Sequence, residues 1–344
     1  MFEAIAIIVS FVASTFYIAS AAPSPGCAVT MLYVIRGDTG LIEGYCGTAS
    51  KPLLQFPLRT RLTVSGFGHD GRGNIIILQT EYSEGGPGAS YLTAYSPDGR
   101  FIATSSRLEG VFGLAIDETR GRAYVYSPER SDGSILGTTT SYARSIGRFA
   151  TFDTDSLRPT GFVAADQIKS ASDFFVDRDA MLWIYDVTDR GLYSLRRRLP
   201  YNTCAIAPGP NATLSAISCE GILRTFGEAS EGLLEQRDLG IGPVFGGLEA
   251  ELAVGSSGSV YLYNAYKHSL SCYARGSSKA SSTVSNAGYV HQLLVSRDDD
   301  VYVRGFASNH PSITVYHGCG LKFVHRYLFY AERMTLVPPP PRSR

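Results

Sequence analysis

The stretch Val111–Tyr126, VFGLAIDETRGRAYVY, decides how the rest of the chain is read. An apolar run closes on Asp117, a short polar turn ends in Gly121, and a second run rich in aromatic residues follows. Phe112, Leu114 and Ile116, then Ala123 and Val125, recur with the period of two that puts strand side chains on one face. Glu118 to Gly121 are residues that reverse a chain. The stretch is predicted to be a β-hairpin.

Variants of this hairpin return at Leu62–Leu78, Asp173–Tyr185, Thr203–Ser218, Leu252–Tyr263 and Gln292–Arg304. Further strand-like runs follow each copy, as in Tyr91–Ser105, Arg148–Val163, Gly191–Arg196, Leu233–Asp238, Ser269–Ala274 and Ile313–His317. A separate hairpin over residues 30–47 turns on GDTG. From Asp70 through Asp117, Asp177, Pro208, Gly255 and Ser296 the turns are spaced 47, 60, 31, 47 and 41 residues apart. A four-stranded unit returning at such intervals is the signature of a propeller blade. A two-sheet sandwich would not repeat one hairpin six times. The expectation is an all-β, six-bladed β-propeller with four antiparallel strands per blade. Seven blades result if the hairpin of residues 30–47 belongs to a blade of its own rather than sealing the last one.

Composition agrees. The 344 residues include 36 Gly, 21 Tyr and 17 Phe, favouring many short strands joined by turns. The 31 basic side chains match 31 acidic ones, so no general field draws the protein to nucleic acid or anionic lipid. Neither is expected as a partner.

Ala4 to Val12 is apolar except for Ser10, and Ala19-Ser20-Ala21 precedes Pro23. This reads as a signal peptide over residues 1–21, although Met1 to Ala4 carries Glu3 and no basic residue. An uncleaved anchor is the alternative, but Ser10, Ser14, Thr15, Tyr17 and Ser20 make a poor hydrocarbon span. Export gives a secreted, extracellular protein, expected as a monomer with no stable membrane span. The propeller is expected over residues 22–335, and the Pro-rich residues 336–344 as a disordered tail.

Six cysteines fit an oxidising compartment. Cys204 and Cys219 flank a hairpin and would face each other if its turn centred on Asn211-Ala212; unpaired buried thiols are the other reading. A bridge from Cys27 or Cys46 to Cys319 would lock the ends of the ring together. No C-x-x-C occurs, so neither a zinc knuckle nor a redox dithiol is indicated.

The form "apolar run, Asp, turn, Gly, aromatic run", as in LAIDETRGRAYVY and more loosely FFVDRDAMLWIYD and LLVSRDDDVYVR, resembles the six-bladed TolB-like propellers, which include the NHL repeats and the gluconolactonase and regucalcin group. The resemblance covers most of residues 60–330. For the gluconolactonase group it implies acidic and amide side chains holding a divalent cation over the central channel of a lactone-opening enzyme. Asp173 in SASDFFVD matches the inner-strand ligand position, whereas the first blade offers no counterpart of the family's early Glu.

Counting four residues back from each turn gives Gly66, Gly113, Asp173, Cys204, Glu251 and Gln292. In a propeller these positions converge on the axis. Asp173, Glu251 and Gln292, with His291 and Asn202 nearby, would offer oxygen and imidazole ligands to a hard cation such as calcium. The metal would then polarise a carbonyl and His291 would act as base. Against this, Asp173 would equally cap backbone amides and Glu251 would equally face solvent.

Other motifs weigh less. Gly66 to Gly71 matches G-x-G-x-x-G but is followed by a strand, not the helix whose N-terminus holds a pyrophosphate. Arg36-Gly37-Asp38 is an adhesion triplet or, more simply, a turn. Asn211-Ala212-Thr213 is a glycosylation sequon at a hairpin tip, and Arg196 to Arg198 form a basic run suited to a solvated edge strand. Two functions remain: an extracellular binding module presenting Tyr and Phe to a small molecule, glycan or protein, and a metal-dependent hydrolase of the lactonase type.

Overall fold

The computed structural model describes residues 27–59, 62–83, 86–109, 111–130, 145–165, 168, 171–176, 181–186, 189–194, 198–211, 213–227, 232–242, 250–307 and 310–339. The expected signal peptide, the turn at Asp177 and the last five residues lie outside them.

The chain begins with β1 (Met31–Arg36), β2 (Leu41–Cys46) and β3 (Leu54–Pro57). Blade 2 follows with β4 (Thr63–His69), β5 (Ile75–Ser83), β6 (Gly86–Tyr95) and β7 (Phe101–Thr104), and β8 (Leu108–Glu109) adds to β6. Blade 3 holds β9 (Phe112–Asp117), β10 (Arg122–Arg130), β11 (Ser145–Asp153) and β12 (Pro159–Ala165). Blade 4 holds β13 (Ala171–Val176), β14 (Leu182–Asp186), β15 (Gly191–Ser194) and β16 (Arg198–Asn202). Blade 5 runs through β17 (Ala205–Gly209), β18 (Thr213–Ile217), β19 (Ile222–Gly227) and β20 (Leu233–Asp238). Blade 6 runs through β21 (Ala250–Val254), β22 (Val260–Asn264), β23 (Ser269–Tyr273) and β24 (Ser282–Val284). Blade 7 runs through β25 (Tyr289–Val295), β26 (Asp300–Ala307), β27 (His310–His317) and β28 (Lys322–Tyr327).

The last strand, β29 (Ala331–Val337), pairs with β1 to give the sheet order β29-β1-β2-β3. This completes a seventh blade, blade 1, from the two ends of the chain. The six-blade expectation is thereby corrected: residues 30–47 belong to a blade of their own, and the strand that finishes it is β29. That strand reaches Val337, two residues into the segment expected as tail. β4, β9, β13, β17, β21, β25 and β29 lie side by side in a closed ring, each the inner strand of its blade.

Seven apolar clusters fill the seven gaps between adjacent sheets. The second strand of each blade supplies both neighbouring gaps, so its central residues are largely apolar on both faces rather than alternating. Ile75 and Ile77 enter the gap to blade 1, and Ile76 and Leu78 the gap to blade 3. Leu182 and Ile184 face blade 3 while Trp183 and Tyr185 face blade 5. Burying each such side chain stabilises the fold by about 1.5–3 kcal/mol. In the opening hairpin, Ala123 and Val125 pack toward blade 2 and Tyr124 and Tyr126 toward blade 4.

The repeated Asp or Ser that ends many inner strands has one local cause. Asp70 Oδ1 accepts the N–H groups of Arg72 and Asn74, both at 2.9 Å, and Asp117 Oδ1 accepts those of Thr119 and Arg120 at 3.0 and 2.9 Å. Ser296 Oγ does the same for Asp298 and Asp300, at 3.2 and 3.0 Å. Such side chains replace the strand partner that a reversing backbone loses. Gly73 and Gly121 complete their turns at φ 82° and 61°, a region costly for residues with a Cβ.

Three disulfides form, Cys27–Cys46, Cys204–Cys219 and Cys272–Cys319, with Cα separations of 5.6, 5.2 and 5.3 Å. They fit an oxidising environment. The Cys204–Cys219 pairing agrees with expectation although the turn centres on Asn211 (φ 57°), leaving Cys204 opposite Ser218. The bridge expected from Cys27 or Cys46 to Cys319 does not form. Cys319 sits on the turn between β27 and β28 that faces blade 6, so it pairs with Cys272 there. The pairing of β29 with β1, with apolar packing beside it, joins the ends of the ring.

Candidate functional site

All inner strands start on one face of the ring, called upper here, and end on the opposite, lower face. The five residues expected to form a cation site divide among different surroundings. Glu251 lies on β21 opposite Tyr263, near the upper face. His291 is the bulged residue of β25, between Val290 and Gln292. Asp173 stands on β13 opposite Tyr185, and its side chain lies outside the described residues. Asn202 ends β16, the outer strand of blade 4, away from the ring of inner strands.

Gln292 is fully engaged by the fold. Its Nε2 donates to Met334 O at 2.8 Å and its Oε1 accepts Met334 N–H at 3.1 Å, joining β25 to β29 across the blade 7–blade 1 gap. Among the described residues no group of three His, Cys, Asp or Glu is placed to hold a metal.

A different set gathers where blades 6, 7 and 1 meet the upper face. Arg304 on β26 donates from Nη1 to Ala331 O at 3.1 Å and from Nη2 to His291 O at 3.2 Å. Its Nε is buried without a hydrogen-bond partner, as is Glu332 Oε2 on β29. Burial, then Arg333, pushes the Arg304 guanidinium down to about 10, against the pull of Glu251, Tyr330 and Glu332. It stays cationic at neutral pH. Burial and the Arg304 and Arg333 guanidiniums hold His291 below the ordinary imidazole value, so it is neutral there. These two cations work against a divalent ion beside Glu251 and His291.

Around this set the same face exposes large apolar side chains. Tyr289 opens β25 at 61% exposure, Tyr266 caps the β22–β23 turn at 71%, and Leu328 and Tyr330 precede β29 at 73% and 47%. Tyr289 stacks edge-on against His268 with ring centres 4.8 Å apart, and the His268 ring lies 3.3 Å from Tyr263 Oη. His291 is held edge-on to Phe306 at 5.6 Å. Tyr289 thus starts a strand, while Tyr266 and Tyr330 stand on the turn and the segment beside strand ends.

Sequence reasoning found Glu251 and His291 but missed Arg304, because the alignment of copies followed inner strands only. The available signal was an Arg inside the otherwise apolar second strand of blade 7, directly opposite Gln292.

The adhesion triplet is the exposed turn between β1 and β2, with its charges paired to each other. Arg36 Nε and Nη2 donate to Asp38 at 2.9 and 2.6 Å, and its guanidinium covers the Phe329 ring at 4.4 Å. A Cβ at Gly37 would collide with the ring of Tyr330. Arg36 and Asp38 thus neutralise each other and support Tyr330 from below. Asn211 of the sequon is exposed at its hairpin tip, with Ala212 outside the described residues. No helix among the described residues is long and apolar enough to cross a membrane.

No protein-family model matches the chain, and no curated protein matches it in sequence. Among solved structures it is similar to dihydro-heme d1 dehydrogenase NirN in complex with DHE, with 13% identity and a TM-score of 0.56 over 90% of this chain and 75% of that one. At that identity the likeness carries the β-propeller fold alone.

Proposed function

We propose that the chain is an exported β-propeller that binds glycans on the upper face of blades 6, 7 and 1. The observation that carries this reading is the joint presence, at and beside the upper strand ends, of exposed Tyr266, Tyr289 and Tyr330 together with the charges of Glu251, Arg304 and Glu332. A sugar ring offers an apolar C–H face to an aromatic side chain and hydroxyl groups to charged acceptors and donors. Two guanidiniums beside two carboxylates leave no strong net field, which suits such a neutral, polar ligand. The leader over residues 1–21 and the three disulfides support export, with the mature propeller from residue 22 acting as a monomer. The sequon at Asn211, on the lower face, leaves the upper face clear.

The lactonase-type alternative, with a cation such as calcium, requires Asp173 to join Glu251 over the channel against the field of Arg304 and Arg333. Membership of the TolB-like group stands with that alternative, and seven blades rather than six weigh against it. A glycan array probed with the mature protein tests the binding reading. Selective binding that weakens on the order of tenfold in Tyr289→Ala and in Tyr330→Ala supports it. Silence across the array, or calcium binding abolished by Glu251→Gln, contradicts it.

A further inference from the structure

A cleft of about 350 Å³ lies between blades 5 and 6, outside the set described above. Among the described residues its polar lining consists of amide, ammonium and hydroxyl groups, with no acidic side chain. Asn264, 4% exposed at the end of β22, is the central observation. Its Oδ1 accepts the backbone N–H of Lys267 at 3.1 Å, which fixes the orientation of the amide. Nδ2 is thereby left buried with no hydrogen-bond partner. A buried donor in that state is disfavoured unless an acceptor reaches it from outside the chain.

Two ammonium groups line the same cleft. Lys267 Nζ donates one N–H hydrogen bond to Ile241 O at 2.8 Å, leaving two N–H groups, and Lys279 stands on the loop after β23. Ser271 and Thr283, whose hydroxyl oxygens are 2.9 Å apart, add groups that both give and accept hydrogen bonds. The volume falls within the roughly 300–1,000 Å³ usual for small-molecule sites and exceeds what a bare ion needs.

We propose that this cleft binds a monosaccharide-sized ligand carrying a sulfate or carboxylate group. The oxyanion takes the Asn264 Nδ2–H and the lysine ammonium groups, and the ring hydroxyls meet Ser271 and Thr283. The site goes beyond the upper-face reading and does not depend on it.

Calorimetric titration of the mature protein with glucose 6-sulfate, glucuronate, glucose and inorganic sulfate tests the assignment. The expected result is binding of the acidic sugars, none of glucose, and an affinity that falls as NaCl is added. The double variant Lys267→Gln, Lys279→Gln, changed only at exposed positions, weakens binding on the order of tenfold or more. Asn264→Asp, which exchanges the free donor for an acceptor, abolishes it. Because that variant places a charge at a buried position, the lysine variant decides if it does not fold. Four results would each overturn the proposal: no heat with either acidic sugar, equal binding of glucose, inorganic sulfate binding as tightly as the sugars, or binding unchanged in the lysine variant.

Discussion

On the lower face, Asp70 and Asp117 are buried carboxylates, each about 1% exposed, and their oxygens are occupied by the turn they close. Asp70 takes the N–H groups of Arg72 and Asn74, the Asn74 side-chain amide at 2.9 Å and the Thr154 hydroxyl at 3.1 Å. On the upper face, Glu332 keeps a buried oxygen without a partner and Arg304 a buried Nε without one. The lower cap recurs as Asp70, Asp117 and Ser296 because each of these side chains takes the N–H groups that its reversing hairpin leaves unpaired. Glu332 and Arg304 stand where blades 7 and 1 meet, and neither position repeats the lower cap. A repeated polar residue reports the fold, and an unrepeated one reports a site.

Stability measurements separate the two faces most sharply. Asp70→Ala strands several buried donors and is expected to cost about 3 kcal/mol or more, read as a lowered denaturant midpoint at unchanged slope. Glu332→Gln, by contrast, leaves the midpoint nearly unchanged. Equal losses in the two variants would erase the distinction.

Gln292→Ala tests an upper-face residue that the structure assigns to the fold. Both backbone partners on Met334 lose their bonds, with an expected loss of about 1–3 kcal/mol. Glycan binding in the folded fraction is retained. Arg304→Lys keeps a positive charge but cannot span the carbonyls of Ala331 and His291 with one planar fork. It should weaken glycan binding on the order of tenfold with little change in the melting transition.

The smallest effect is electrostatic. Because the folded-state value of His291 is depressed, the unfolded chain binds its proton more readily. Stability contributed by the neutral ring is therefore present above the unfolded value of about 6.5 and is lost as pH falls from there through the folded value. The ring is only partly buried, which keeps this contribution small. NMR titration should place the His291 transition below the ordinary imidazole value, and Arg333→Gln should raise it. An unshifted transition would remove the guanidinium field from the account.

The inner hairpins were legible in sequence because each carries its own turn residues and two apolar runs. The blades' second strands were legible as apolar runs, although burial on both faces, rather than alternation, explains VYLY at Val260–Tyr263 and IIIL at Ile75–Leu78. β16 contains Arg198 and Pro200, β24 has three residues, and β29 reads AERMTLV ahead of a proline run. None has a local strand signal. β29 forms because β1, some 300 residues earlier in the chain, supplies its partner. That unseen strand is why six blades were counted where seven exist. Glu251 and His291 were legible as titratable side chains on inner strands. Arg304 acts through a neighbouring strand, and the exposure of Tyr266, Tyr289 and Tyr330 depends on ring geometry that spacing does not reveal.

Hydrogen–deuterium exchange of the mature protein, with and without a glycan selected on the array, tests the upper-face assignment most directly. The account predicts new protection over residues 287–292 and 328–332, with the turns at residues 70–74 and 117–121 unchanged. Protection confined to those lower turns, or none anywhere at saturating glycan, would contradict it.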